Sequence, residues 1–261
     1  SITLRQLLNH GSGLPAHRPY YRENNNQGKQ YIIDKILHEK LVYQPGTKQI
    51  YSDLGFMIIG EIVAVKSGMR LEEYVSKFIY KPLALNNLLF FDPNKKDVIY
   101  APTEQCPWRH KLLRGEVDDD NAWAFKVGGH AGLFGNIYGV TGIINYFIDI
   151  INGKIKSSLI DRNDLQKFVK KDSNRGSFAL GFDTPDPEKS SSGKYFSNYS
   201  FGHLGFTGTS FWVDLEKGVS IVLLTNRVCP DRNNNNIREF RPLFHDTIMK
   251  VINRRINEKF N

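Results

Sequence analysis

The sequence is short of several things that would settle its class at once. Only 2 of its 261 residues are cysteine. Cys106 and Cys229 each precede a proline and lack the paired spacing of a metal site. Free thiols are the simpler reading, and a disulfide between them stays open at this level. No apolar run is long enough to span a bilayer; Phe56 to Val65, among the longest, is broken by Gly60 and Glu61. No repeat is evident. His-Glu-x-x-His is absent, and His10, His17 and His38 show no zinc-ligand spacing. Gly11-Ser12-Gly13 lacks the Gly-x-Ser-x-Gly spacing of a nucleophile elbow. No metal, no cofactor and no integral membrane segment are predicted.

A concentrated basic patch is also missing. The formal charge is +8, yet the tight basic pairs are only Lys95-Lys96, Lys170-Lys171 and Arg254-Arg255. Without a basic stripe no nucleic-acid partner is predicted. Hydrophobic residues make up 40% of the chain, enough for one sizeable core or two lobes sharing an interface. The chain begins at Ser1, without methionine, directly in a helical pattern. It reads as the C-terminal part of something longer.

What is there is periodic. Helical spacing predicts helices over residues 1–9, 30–41, from Ser52 or Asp53 to Gly68, and over 71–80, 137–152 and 161–171. The third of these is apolar on most faces, which predicts burial along its length and a rigidly held N-terminus. Residues 86–135 read as mostly irregular. From Tyr199 the period changes to that of strands, over 199–203, 209–213 and 219–225, the last two forming a hairpin, before a final helix near 237–256. The run Ile221 to Leu224 is continuously apolar, as in a central strand covered on both faces, and its second neighbour is expected upstream of Ser1. The expected organisation is a mainly helical lobe, 1–190, and a sheet-plus-helix part, 191–261.

Two short motifs carry the chemistry, Tyr51-Ser52-Asp53 at the mouth of the third helix and His203-Leu204-Gly205 on the first tail strand. With them go Ile2 to Pro15, Gln44-Pro45-Gly46, the turn Gly129-His130-Ala131-Gly132-Leu133-Phe134, and Gly202 to Thr209. In this order and spacing the chain resembles the serine β-lactamase and D-alanyl-D-alanine peptidase superfamily, in its class C-like branch of esterases and carboxypeptidases. Ala101 to Glu104 and Glu116 to Ala122 resemble the carboxypeptidase and esterase relatives most, some of which are fused to a glycosidase.

The resemblance implies an α/β fold of the α+β type: a mainly antiparallel sheet flanked by helices, with a helical lobe and with N-terminal strands missing. It implies Tyr51 as the proton shuttle. A phenol titrates near pH 10 and becomes a base only beside a cation, in the family the lysine of Ser-x-x-Lys. Asp53 stands where the family usually has asparagine, and an ionised carboxylate can only accept hydrogen bonds. Capping the helix is an equal alternative for it. His203 is implied as catalytic, Gly205 as the point where substrate nears the backbone, the Phe206 amide as an oxyanion donor, and Thr207 as substrate-binding. A neutral histidine and a leucine, in place of lysine and threonine, argue against strong β-lactamase activity. His130 reads as structural.

The nucleophile is the missing piece. The only literal Ser-x-x-Lys, Ser191 to Lys194, lies in a Ser/Gly-rich stretch after Pro185 and Pro187 and reads as a loop. The expectation is therefore part of a serine hydrolase acting on an ester or a D-amino-acid peptide in peptidoglycan chemistry outside the cytoplasm, inactive as this chain. The alternative is a non-catalytic module that binds peptidoglycan fragments.

Overall fold

The chain's first helix forms where Thr3 can start it. The Gln6 amide donates to the Thr3 hydroxyl, and the Thr3 N–H donates to the Gln6 side chain. This reciprocal cap satisfies two donors that a helix start leaves open. In the computed structural model, which describes residues 1–24, 27–90 and 98–260, that helix is α1 (Leu4–Leu8). The pair Lys95-Lys96, and Asn25 and Asn26, lie outside the described residues. α1 stops short of the predicted residue 9 because the chain turns left-handed at His10, φ 58°.

Helix α2 (Gly28–Leu37) directs Ile32, Ile33 and Ile36 inward, as their spacing predicts. Helix α3 (Asp53–Ser67) ends where Gly68 turns left-handed at φ 67°. Ser52 is its cap, accepting from the Gly55 amide, so Asp53 is not needed for capping. Leu7, Leu14, Tyr20, Leu54, Met57 and Phe125 close the first core with the three isoleucines. The expectation that α3 is buried along its length fails in its second half, where Val65 is 71% exposed while Met57 is 0% exposed. The apolar pattern continues past the point where neighbouring elements cover the helix. At Gly60 the turn at Gly129 crosses so closely that a Cβ on Gly129 would lie 2.3 Å from the Phe56 carbonyl oxygen.

Helix α4 (Leu71–Val75) widens into a π-helical turn, Ser76–Tyr80. The region read as irregular holds β1 (Leu88–Phe90), β2 (Pro102–Cys106), β3 (Lys111–Arg114), α5 (Asp120–Phe125) and β4 (Leu133–Gly135). β1 pairs with β4 and β2 with β3, both antiparallel. Strands of three to five residues are too short to show a period in sequence.

This region is tied to the tail by ion pairs. Glu104, 1% exposed, receives two hydrogen bonds from the Arg232 guanidinium. Arg232 also lies 3.6 Å from Asp118 and 4.0 Å from Asp120, and Arg109 pairs with Asp120 at 2.9 Å. The Gln105 amide donates to the Pro230 carbonyl at 2.8 Å alongside. Cys106 and Cys229 are free thiols.

Helices α6 (Ile137–Ile151) and α7 (Arg162–Val169) precede an antiparallel sheet of β5 (Ser200–Leu204), β6 (Ser210–Asp214) and β7 (Val219–Leu223), with β6 in the middle. Phe201, Val213, Phe211 and Val222 pack on α6 and α7. Trp212 and Ile221 point the other way, onto Met249 of α8 (Ile237–Phe260). Strand alternation thus builds two cores from one sheet. β7 is covered on both faces, as its apolar run implies, and among the described residues is hydrogen-bonded along one edge. On β5, a Cβ at Gly202 would fall 2.6 Å from the Trp212 ring. The outer edge of β5 is bridged at Gly202 by Asp183, which exchanges backbone hydrogen bonds of 2.8 and 2.9 Å with it. No helix among the described residues is long and apolar enough to cross a membrane.

Candidate active site

The site is assembled on the loop that follows α1. The His10 carbonyl accepts from the Ile50 amide at 3.0 Å and from the Tyr43 hydroxyl at 2.8 Å, and the His10 Nδ1 accepts from the Ser52 amide at 3.0 Å. The Ser52 hydroxyl donates to the Pro15 carbonyl at 2.7 Å and the Asp53 amide to the Ala16 carbonyl at 3.0 Å. Tyr51 is held between these stitches. Its ring lies 4.5 Å from that of His10 and 6.2 Å from that of His203 on β5, centroid to centroid. Phe178 closes the cluster, 4.7 Å from His10 and 6.1 Å from Tyr51. Motifs 150 residues apart therefore share one cleft.

The electrostatics of the cleft are anionic. Burial, then the carboxylates of Asp53 and Asp119, push the Tyr51 phenol up to about 12. It is protonated at neutral pH and donates rather than accepts a proton in this environment. Burial lowers His203 from its ordinary value, opposed by a hydrogen bond from Nδ1 to the Leu204 carbonyl at 2.9 Å. The neutral imidazole with hydrogen on Nδ1 leaves Nε2 as an acceptor.

His10 is driven down to about 3, first by burial and then by His203. The unfolded chain therefore binds a proton that the folded chain refuses between these values. The resulting stability is complete above about pH 6.5 and is lost as pH falls toward the folded value. Between pH 6.5 and 4.5 the loss from His10 amounts to about 2–3 kcal/mol. Urea unfolding of the wild type and His10→Asn at both pH values checks this. The variant is expected to show the shallower dependence, and equal slopes would remove His10 as the cause. Asparagine tolerates the left-handed backbone there.

The other sequence-predicted positions cluster at the end of β5. A Cβ at Gly205 would meet the Thr209 hydroxyl at 2.0 Å, so the glycine is required by the turn's own packing. The turn is closed by Gly205 N–H donating to Thr209 at 2.8 Å and Gly208 N–H donating to Gly205 at 3.1 Å. The Phe206 ring is exposed and lies under the Arg227 guanidinium at 4.3 Å, and Thr207 beside it is half-buried. Sequence reasoning missed Arg241. From α8, its Nη2 donates to the Gly205 and Thr209 carbonyls at 2.8 Å each, fixing the turn. A lone arginine in a basic, amphipathic helix gives no signal of that duty.

Ser191 to Lys194 forms a turn, as its composition predicts, with the Ser191 carbonyl accepting from His245 at 2.8 Å. Without a helix the lysine does not stand one turn beyond the serine. His130 and Asp119 pair at 2.9 Å, and Asp119 caps α5. His17 lies 3.5 Å from Asp53.

An antiparallel sheet between two helical layers, with a tyrosine at a helix mouth facing a histidine on the first strand of the sheet, defines the serine β-lactamase and transpeptidase class. Residues 1–242 match the family model described as Beta-lactamase, and the chain belongs to that family. A protein named D-alanyl-D-alanine carboxypeptidase from Salmonella agona is 31% identical over 252 residues, 87% of this chain and 57% of that protein. The chain thus spans little more than half the length of such curated relatives. Among solved structures, a β-lactamase from Mycobacterium bovis superposes with a TM-score of 0.63 at 18% identity, over 96% of this chain and 74% of that one. A simvastatin synthase mutant from Aspergillus terreus superposes with 0.67 at 20% identity, over 97% and 67%. These two show the shared fold.

Proposed function

We propose that this chain carries the proton relay and the substrate-lining strand of an acyl-enzyme hydrolase that acts on an ester or D-amino-acid peptide of the cell wall, outside the cytoplasm. The observation that carries the reading is the meeting of Tyr51 and His203 in one cleft, with ring centroids 6.2 Å apart. The attacking serine comes from a Ser-x-x-Lys helix outside these 261 residues. Beside the lysine of that helix the Tyr51 phenol is lowered and, as phenolate, takes the serine's proton and passes it to the leaving group. The Phe206 amide and the serine's own amide receive the oxyanion. Asp53 and Thr207 contact the substrate, and His203 offers Nε2 as an acceptor.

Chemistry narrows the substrate class. Neither a neutral His203 nor Leu204 grips a carboxylate as lysine and threonine would, which disfavours penicillins. A carboxylate at position 53, where an asparagine amide could donate, accepts from an amine or hydroxyl and has no donor for an acyl carbonyl.

The test is covalent labelling by a chromogenic ester and a labelled penicillin, read by mass spectrometry, of this chain and of the product of its gene extended upstream. The expected result is no adduct on the 261 residues alone and one on the serine of the extended protein. Burst acylation of the short chain would overturn the assignment of the nucleophile. An upstream sequence without Ser-x-x-Lys, together with saturable binding of a peptidoglycan fragment and no adduct, would make the protein a binding module.

A further inference from the structure

Three segments far apart in sequence converge beside the mouth of α3. His17 comes from the loop after α1, Asp53 from the first turn of α3, and Asp119 from the cap of α5. One imidazole nitrogen and one oxygen of each carboxylate all lie within 4.8 Å of one another. His17 Nδ1 and Asp53 Oδ2 are 3.5 Å apart. A metal bonded at about 2.0–2.2 Å to two ligands holds them about 3–4 Å apart, so this edge already has coordination length. The His17 side chain is 47% exposed and free to close the remaining distance.

A second observation concerns how Asp119 is held. Its Oδ1 accepts from the Ala122 amide at 2.7 Å and from His130 Nε2 at 2.9 Å, and the His130 side chain is only 2% exposed. Opposite a carboxylate, Nε2 carries the hydrogen of that bond, and the buried Nδ1 has no hydrogen-bond partner. Oδ1 is thus fully engaged and the second oxygen is left to a ligand. Buried partners that orient a ligating carboxylate in this way are a regular part of metal sites. Among the described residues no lysine or arginine forms an ion pair with Asp53 or Asp119.

We propose that His17, Asp53 and Asp119 bind one divalent transition-metal ion of the zinc class. One imidazole with two carboxylates suits zinc and manganese better than magnesium or calcium, which take oxygen ligands. Asp53 then holds the ion through Oδ2 and keeps Oδ1 for the cleft. The inference stands apart from the acyl-transfer reading, because uptake of an ion requires no nucleophile.

The test is calorimetric titration of the metal-free 261-residue protein with Zn2+, with Co2+ absorption as a spectroscopic readout of a nitrogen- and oxygen-ligated site. One equivalent is expected to bind saturably. His17→Ala and Asp119→Asn are each expected to weaken binding at least about tenfold, and His38→Ala, on the exposed end of α2, to leave it unchanged. Asparagine retains the cap and an acceptor for His130, and the half-exposed His17 can be truncated without loss of folding, so a thermal melt separates misfolding from lost ligation. No saturable uptake by the wild type, or equal uptake by His17→Ala, would overturn the proposal and mark any bound ion as adventitious.

Discussion

Replacing Arg232 by methionine is expected to lower the unfolding free energy by about 3–5 kcal/mol, the usual cost of stripping one partner from a buried charge cluster. Glu104 is 1% exposed and its two carboxylate oxygens each take a hydrogen bond from this one guanidinium. Asp118 and Asp120 are 6% and 7% exposed, and burial raises both carboxyls above their ordinary value, with Arg232 and Arg109 opposing the shift. Arg109 cannot take over. Its guanidinium already donates to the Val117 and Asp118 carbonyls at 2.8 and 2.6 Å as well as to Asp120. Urea unfolding at neutral pH is the measurement, and a loss below about 1 kcal/mol would show the cluster to be solvated and dispensable. Adding Glu104→Met to the same chain is expected to recover part of the loss, since it is the abandoned carboxylate that is costly. Recovery would also separate charge from lost packing against Phe206, whose ring lies 5.9 Å from the Arg232 guanidinium.

Tyr51→Phe, made in the upstream-extended protein, is expected to reduce acyl transfer by about 10²- to 10⁴-fold, the range for removal of a proton-transfer group. Folding should be nearly untouched. The ring stays against His10, the residue is 41% exposed, and phenylalanine keeps the edge that meets Phe178. Single-turnover acylation combined with a thermal melt separates the two effects. A melt within a few degrees and unchanged turnover would take Tyr51 out of the mechanism and leave it as packing. The His10→Asn variant gives a useful contrast, because it perturbs the support of Tyr51 without removing the hydroxyl.

Much of this was legible in the sequence because it is local. Ser52 before an apolar helix, Gly68 after it, and the alternation of Phe201, Phe211, Trp212 and Val213 are properties of neighbouring residues, and the structure keeps them. The pairing of Tyr51 with His203 was readable only through motif order. The exposed end of α3, the short strands between 86 and 135 and the Glu104 to Arg232 pair were not readable. They depend on which surfaces meet across the chain, Leu88 with Gly135 or Glu104 with Arg232, and composition does not record that. His17, Asp53 and Asp119 illustrate the same limit. Ligands at fixed spacing do not include a set separated by 36 and 66 positions, which the packing of Phe125 on Leu54 and Met57 and the crossing of Gly60 with Gly129 bring together. Gly205, expected where substrate nears the backbone, has a second reason to be glycine that the sequence did not show, the Thr209 hydroxyl that a Cβ would meet.

The bridge between Asp183 and Gly202 blunts the outer edge of β5. Outward-facing backbone recurs there at every second residue, so after Gly202 the next such position is Leu204, whose carbonyl already accepts from His203 Nδ1 at 2.9 Å. Both positions being engaged, this edge is a poor template for a further strand, which guards the sheet against pairing with another chain.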